Sequence, residues 1–102
     1  MADADRLQAI QDDYSRAVEA RITGLMTKVH AARDLNQQIA ETDGQIEMGR
    51  GDLEGIEAEL ASEEDPDLAE QAEVLRQAIA DTEAYRTELV EALGKLVGEI
   101  GG

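Results

Sequence analysis

The chain has 102 residues, with 24 acidic against 9 basic side chains, a net charge of −15, and no Cys, Trp or Phe. That balance disfavours direct contact with nucleic acid or an anionic membrane, because neutralising phosphate takes clustered Lys and Arg. Without cysteine there is neither a disulfide framework nor a thiolate metal site; with Tyr14 and Tyr85 as the only aromatics, any core must come from Leu, Ile, Val and Ala.

Abundant Ala, Glu, Leu, Gln and Arg with a single proline is the composition of long helices and coiled coils. The expected fold is all-α, an antiparallel helical hairpin or coiled coil in one domain. A long first helix covers about 4–63, weak or kinked at 44–51, and a second covers about 66–99. The turn lies near 62–66; residues 1–28 form a docking or oligomerisation segment and 29–100 the hairpin proper.

The N-terminus, MADADRLQ, lacks the basic and apolar regions of a signal peptide, and no apolar run approaches the roughly 20 residues of a membrane span. The expected location is the cytoplasm or the inside of a virus particle. An apolar stripe begins at Leu7, Ile10 and Tyr14. It shifts phase through two four-residue steps, Tyr14 to Val18 to Ile22, a stutter that locally unwinds a supercoil. From Val18 the stripe recurs every seven residues through Leu25, Ala32, Ile39, Ile46, Leu53 and Leu60, reinforced by Ile22 and Val29 and later by Leu35. With Met26, the segment is apolar over more than one face.

The stretch GQIEMGRGDLEG (44–55) holds four glycines, Gly44, Gly49, Gly51 and Gly55, yet the stripe keeps its phase across them. Each costs about 1 kcal/mol relative to Ala in a helix interior. Two or three buried Leu or Ile side chains offset their sum, so the four are read as a hinge-like weak point in a continuing helix. GQIEMGRG approaches a phosphate-binding loop, but Arg50 replaces the required Lys and Gly51 the hydroxyl residue, with no preceding strand. Arg50-Gly51-Asp52 is a chance integrin-type tripeptide.

Further on, SEEDPDL offers Asp65 as an N-cap, Pro66 as first helical residue and Asp67 on the favourable side of the helix dipole. Leu68, Ala72, Leu75, Ile79, Thr82, Arg86, Leu89, Leu93, Leu96 and Ile100 then alternate four- and three-residue steps without a slip. Folding the second helix back at Glu64-Asp65 sets Asp43, read as a polar intruder in the first seam, opposite Arg86 in the second. A buried Asp43–Arg86 salt bridge is expected to lock the register. Asn36 is a second polar insertion in the first seam.

His30, the only histidine, with Asp34 one turn on, gives two ligands where a metal site needs more. Glu63, Glu64, Asp65 and Asp67 lack the ligand order and central glycine of an EF-hand. Nothing shelters a carboxylate pair for acid–base work. No catalytic residue, metal, cofactor or small-molecule ligand is assigned.

Residues 1–43 carry eight acids and five bases, net −3, and 44–102 carry sixteen acids and four bases, net −12. The first part is therefore the expected docking surface. Scarce Lys, just Lys28 and Lys95, beside many acids resembles the proteins of salt-loving archaea, the alternative being an Arg-rich, high-GC bacterial or phage genome. The expected function is that of a non-enzymatic structural or assembly subunit of a larger particle, such as a minor virion protein of a tailed virus with a halophilic host. Its expected partners are copies of itself or another protein of the same assembly. The helix–turn–helix layout is similar to the coiled-coil arms of prefoldin-type chaperones, which implies the alternative of a helical chaperone or adaptor. The β-hairpins those families insert have no counterpart in the strand-free pattern of 44–67. Small acidic export chaperones are a further class of this size.

Overall fold

The computed structural model describes residues 2–101. It is an all-α helical hairpin: α1 runs from Ala2 to Ser62 and α2 from Pro66 to Gly101. The three residues Glu63, Glu64 and Asp65 connect them. The molecule measures 93 × 18 × 15 Å. At 1.5 Å per residue a straight 61-residue helix spans about 90 Å, so α1 alone accounts for the longest dimension and carries no sharp bend.

The turn is built by capping. The Asp65 carboxylate accepts the backbone N–H groups of Asp67 and Leu68, at 3.1 and 3.2 Å, satisfying the second and third residues of a helix that Pro66 opens. On the other side, the Glu63 N–H closes on the Glu59 carbonyl and the Ser62 hydroxyl donates to the same oxygen. No basic residue stands in the last turn of either helix; α1 ends beside the acids of the turn, whereas the end of α2 lies by Arg21 and Lys28 of α1.

On α2 the ten-residue 4-3 seam from Leu68 to Ile100 is the buried or half-buried stripe, Ala72 and Leu89 being its most enclosed members. The α1 seam has the same alternation: Lys28, Ala32, Leu35, Ile39, Thr42, Ile46, Gly49, Leu53, Ile56 and Leu60. The register follows from one contact. A Cβ on Gly49 would stand 3.1 Å from Ile79 Cγ1, so these two positions face each other. Heptad steps taken in opposite directions from there set Leu53 opposite Leu75, Ile56 opposite Ala72, Ile46 opposite Thr82, Ile39 opposite Leu89 and Leu35 opposite Leu93. Several layers match a small residue to a large one, letting two thin helices approach closely without aromatic filling.

The 44–51 zone is helix without a break. Within it Gly49 faces Ile79, while Gly44, Gly51 and Gly55 have open space where a side chain would go. Ile46, 6% exposed, together with the flanking Leu53 and Ile56, holds the glycine zone against α2. One expectation needs correction: the buried polar member of the α1 seam is Thr42, not Asp43, with Lys28 half-buried at the seam's open end, and Asn36 is exposed. Thr42 is 4% exposed and its hydroxyl is satisfied within its own helix by donating to the Gln38 carbonyl at 2.7 Å. Among the described residues no buried side-chain N or O lacks a partner.

Candidate functional site

α2 ends before α1 does. Glu99, Ile100 and Gly101 line a shared groove with Arg21, Gly24, Leu25 and Lys28, so everything N-terminal to that level projects as a single helix. The overhang is about 25 residues, or about 37 Å at the helical rise. It carries the expected docking residues, all exposed: Leu7, Ile10, Tyr14, Val18, Ile22, Leu25, Met26 and Val29. Tyr14, at 71%, is among the most open. These residues make up most of the exposed large hydrophobic side chains among the described residues, an unusual concentration on one arm.

One edge of the hairpin explains why the overhang differs from the paired part. Glu57, Arg50 and Asp43 occupy a single heptad position on α1, flanking its seam. Near the turn they form a charged rim. Arg76 bonds Glu57 at 3.1 Å and also its own helix neighbour Glu73 at 3.1 Å, and Arg50 bonds Glu83 at 2.6 Å. The Glu57 hydrogen bond, then that of Glu73, pushes the Arg76 guanidinium above its ordinary pKa, so it stays charged throughout the accessible pH range.

Continuing seven residues at a time toward the open end, the same α1 position becomes Asn36, Val29 and Ile22. The matching α2 position runs Arg76, Glu83, Val90, Val97. Both strands of this edge thus pass from charged to apolar in the same direction, and Val90 and Val97 are exposed. Where Val90 offers Asp43 no cation, Arg86 supplies one: its stem starts from the seam opposite Thr42 and its guanidinium reaches the Asp43 carboxylate. The structure therefore brings Asp43 and Arg86 together, but on the rim and not in the core, with side chains 51% and 41% exposed. A buried pair was expected; a seam one residue off, at Thr42, is the reason it is not buried.

Other sequence candidates are scattered. His30 and Asp34 are exposed, and no group of three or more potential metal ligands is found among the described residues. Glu63 and Glu64 are exposed beside the half-buried cap Asp65. Among the described residues no helix is long and apolar enough to cross a membrane. Sequence reasoning missed Val90 and Val97, although their heptad kinship with Arg76 and Glu83 marked them as rim positions that had lost their charge. Compared with protein-family models, with curated proteins and with solved structures, the chain matches none of them.

Proposed function

We propose that this chain is a non-enzymatic structural subunit that joins a larger assembly through the uncovered apolar arm of α1. The observation that carries this reading is the division of labour along α1. From Lys28 to Leu60 its seam is covered by α2, whereas Leu7 to Val29 present a wider apolar face to solvent. A two-stranded contact needs only a narrow a/d seam, while an apolar arc of 100° or more belongs to a helix with further neighbours. The arm is also the part of the chain with the lower net charge, which keeps self-repulsion at the joint small.

The −12 of residues 44–102 would clothe the outside of such an assembly and keep it hydrated at high salt. A tailed-virus particle of a halophilic host is the setting proposed for it.

Replacing Val18, Ile22 and Leu25 together by Asp tests the docking role. The expected result is loss of the assembled species in light scattering after size exclusion, with the hairpin's helical circular dichroism and cooperative melt retained. An assembly of unchanged mass would refute it.

A further inference from the structure

We infer that the occupant of the exposed α1 arm is the same arm of a second copy, lying antiparallel to it about a two-fold axis at Val18. This rests on the docking reading above and gives its partner. A two-fold contact demands a self-complementary surface, in which residue i meets j and j meets i. Seven of the arm's eight apolar positions have that property in their spacing, Leu25 alone falling level with a polar residue, Gln11. Leu7, Ile10, Tyr14, Val18, Ile22, Met26 and Val29 follow one another by steps that read the same from either end, a three, four fours and a three. Reversing one helix over the other therefore sets Leu7 level with Val29, Ile10 with Met26, Tyr14 with Ile22, and Val18 with its own copy.

The geometry accommodates this over its full length. Leu7, Val18 and Val29 are eleven residues apart, the repeat that stays nearly in line along a helix with little supercoil. At 100° per residue Tyr14 and Ile22 fall on opposite sides of that line, as do Ile10 and Met26. In each antiparallel layer the two side chains then lie beside each other and fill the width of the contact. The contact spans about 33 Å at the helical rise.

Charge gives an independent second argument. Residues 3–17 carry Asp3, Asp5, Asp12 and Asp13 against Arg6 and Arg16, a net of −2. Residues 19–33 carry Glu19 against Arg21, Lys28 and Arg33, a net of +2. Antiparallel pairing lays the acidic stretch of each copy over the basic stretch of the other; parallel pairing would lay like on like. The antiparallel order also opposes the two helix dipoles favourably.

The edge described above fits the same arrangement. Beyond the level where α2 ends, the second copy's N-terminal turns run along the side of the first hairpin that carries Val29 and Val97. The charged rim of that edge gives way to apolar side chains at the height where a third helix would arrive. The assembly unit is then a two-fold dimer, with two hairpins pointing away from a central arm-on-arm contact.

The chain has no cysteine, so single cysteines placed in the full-length protein report the contact by oxidation or a short bis-maleimide. Val18→Cys is expected to cross-link to dimer in most of the chain. Leu7→Cys alone is expected to remain monomeric on denaturing gels, and a mixture of Leu7→Cys with Val29→Cys to cross-link. Val18→Asp, which sets two carboxylates together at the axis, is expected to weaken dimerisation by roughly 100-fold or more.

Self-cross-linking of Leu7→Cys as efficient as that of Val18→Cys would mean a parallel pair and would overturn the antiparallel assignment. A chain that is monomeric by light scattering from low to molar KCl would overturn the second copy as occupant, while the triple Asp variant would still test docking to a different protein. A homo-oligomer whose mass survives that triple variant would overturn both readings.

Discussion

The two parts of α1 on either side of Lys28 look alike by apolar count and differ in what surrounds the count. From Lys28 to Leu60 the helix has a narrow seam with a charged rim, and α2 fills it. From Leu7 to Val29 the rim position runs Gln8, Ser15, Ile22 and Val29, apolar where it approaches the hairpin, and none of the described residues covers it. The seam is covered where α2 reaches it and open where α2 has ended, near Leu25. Along the edge the flank turns from charged to apolar at Val90 and Val97, while α2 is still in place.

The strongest way to break this comparison is in the paired part. Leu89 and Ile46 are each 6% exposed and lie on either side of the Thr42–Arg86 layer. Leu89→Ala is expected to cost about 2–3 kcal/mol of hairpin stability, read as a lower urea midpoint with little change in slope. Val18→Ala, in the arm, is expected to leave the hairpin's own transition unmoved. Comparable losses at the two sites would erase the distinction between covered and open seam.

A smaller effect sharpens the comparison within the glycine zone. Gly44→Ala, Gly51→Ala and Gly55→Ala meet open space and are each expected to stabilise by about 0.5–1 kcal/mol through helix propensity. Gly49→Ala has the same propensity gain, but its Cβ would press on Ile79 at 3.1 Å, and its measured gain is expected to fall below that of the other three. Thermal melts of the four single variants decide this. Equal gains at all four would mean that Ile79 yields freely and that Gly49 has no packing role.

The smallest expected effect is on the rim. A double-mutant cycle on Asp43 and Arg86 is expected to give a coupling below about 1 kcal/mol, because both groups are half exposed, and to shrink as KCl screens it. A coupling of several kcal/mol that persisted in molar salt would show the pair to be desolvated and would restore it as a buried lock.

The α2 seam was legible in full, because eight of its ten positions are apolar and the steps never slip. On α1 only every second seam position was plain. Ala32, Ile39, Ile46, Leu53 and Leu60 mark one heptad position, but the other is Lys28, Leu35, Thr42, Gly49 and Ile56. A lysine, a threonine and a glycine there hide the half-step, and Asp43 was taken for the polar seam residue that is Thr42. The packing of Gly49 was hidden for a related reason: propensity sees only the missing side chain, whereas a register is needed to show Ile79 occupying its space. The Asp65 cap was plain because its partners are two and three residues away. The docking stripe was legible as apolar, and its symmetry about Val18 emerged once α2 was seen to end near Leu25.

The three-residue turn also orders events as the chain is made. Sequence separation across the hairpin grows from Leu60 and Leu68 beside the turn to Ala32 and Leu96 at the far end, so closure entropy is met once and later pairs zip outward from it. During synthesis all of α1 precedes the first residue of α2. Until the ribosome has delivered the C-terminal helix, the whole α1 stripe, seam and arm together, is open to contact. An arm able to pair with its twin on a neighbouring nascent chain could then bring two subunits together before either hairpin has closed.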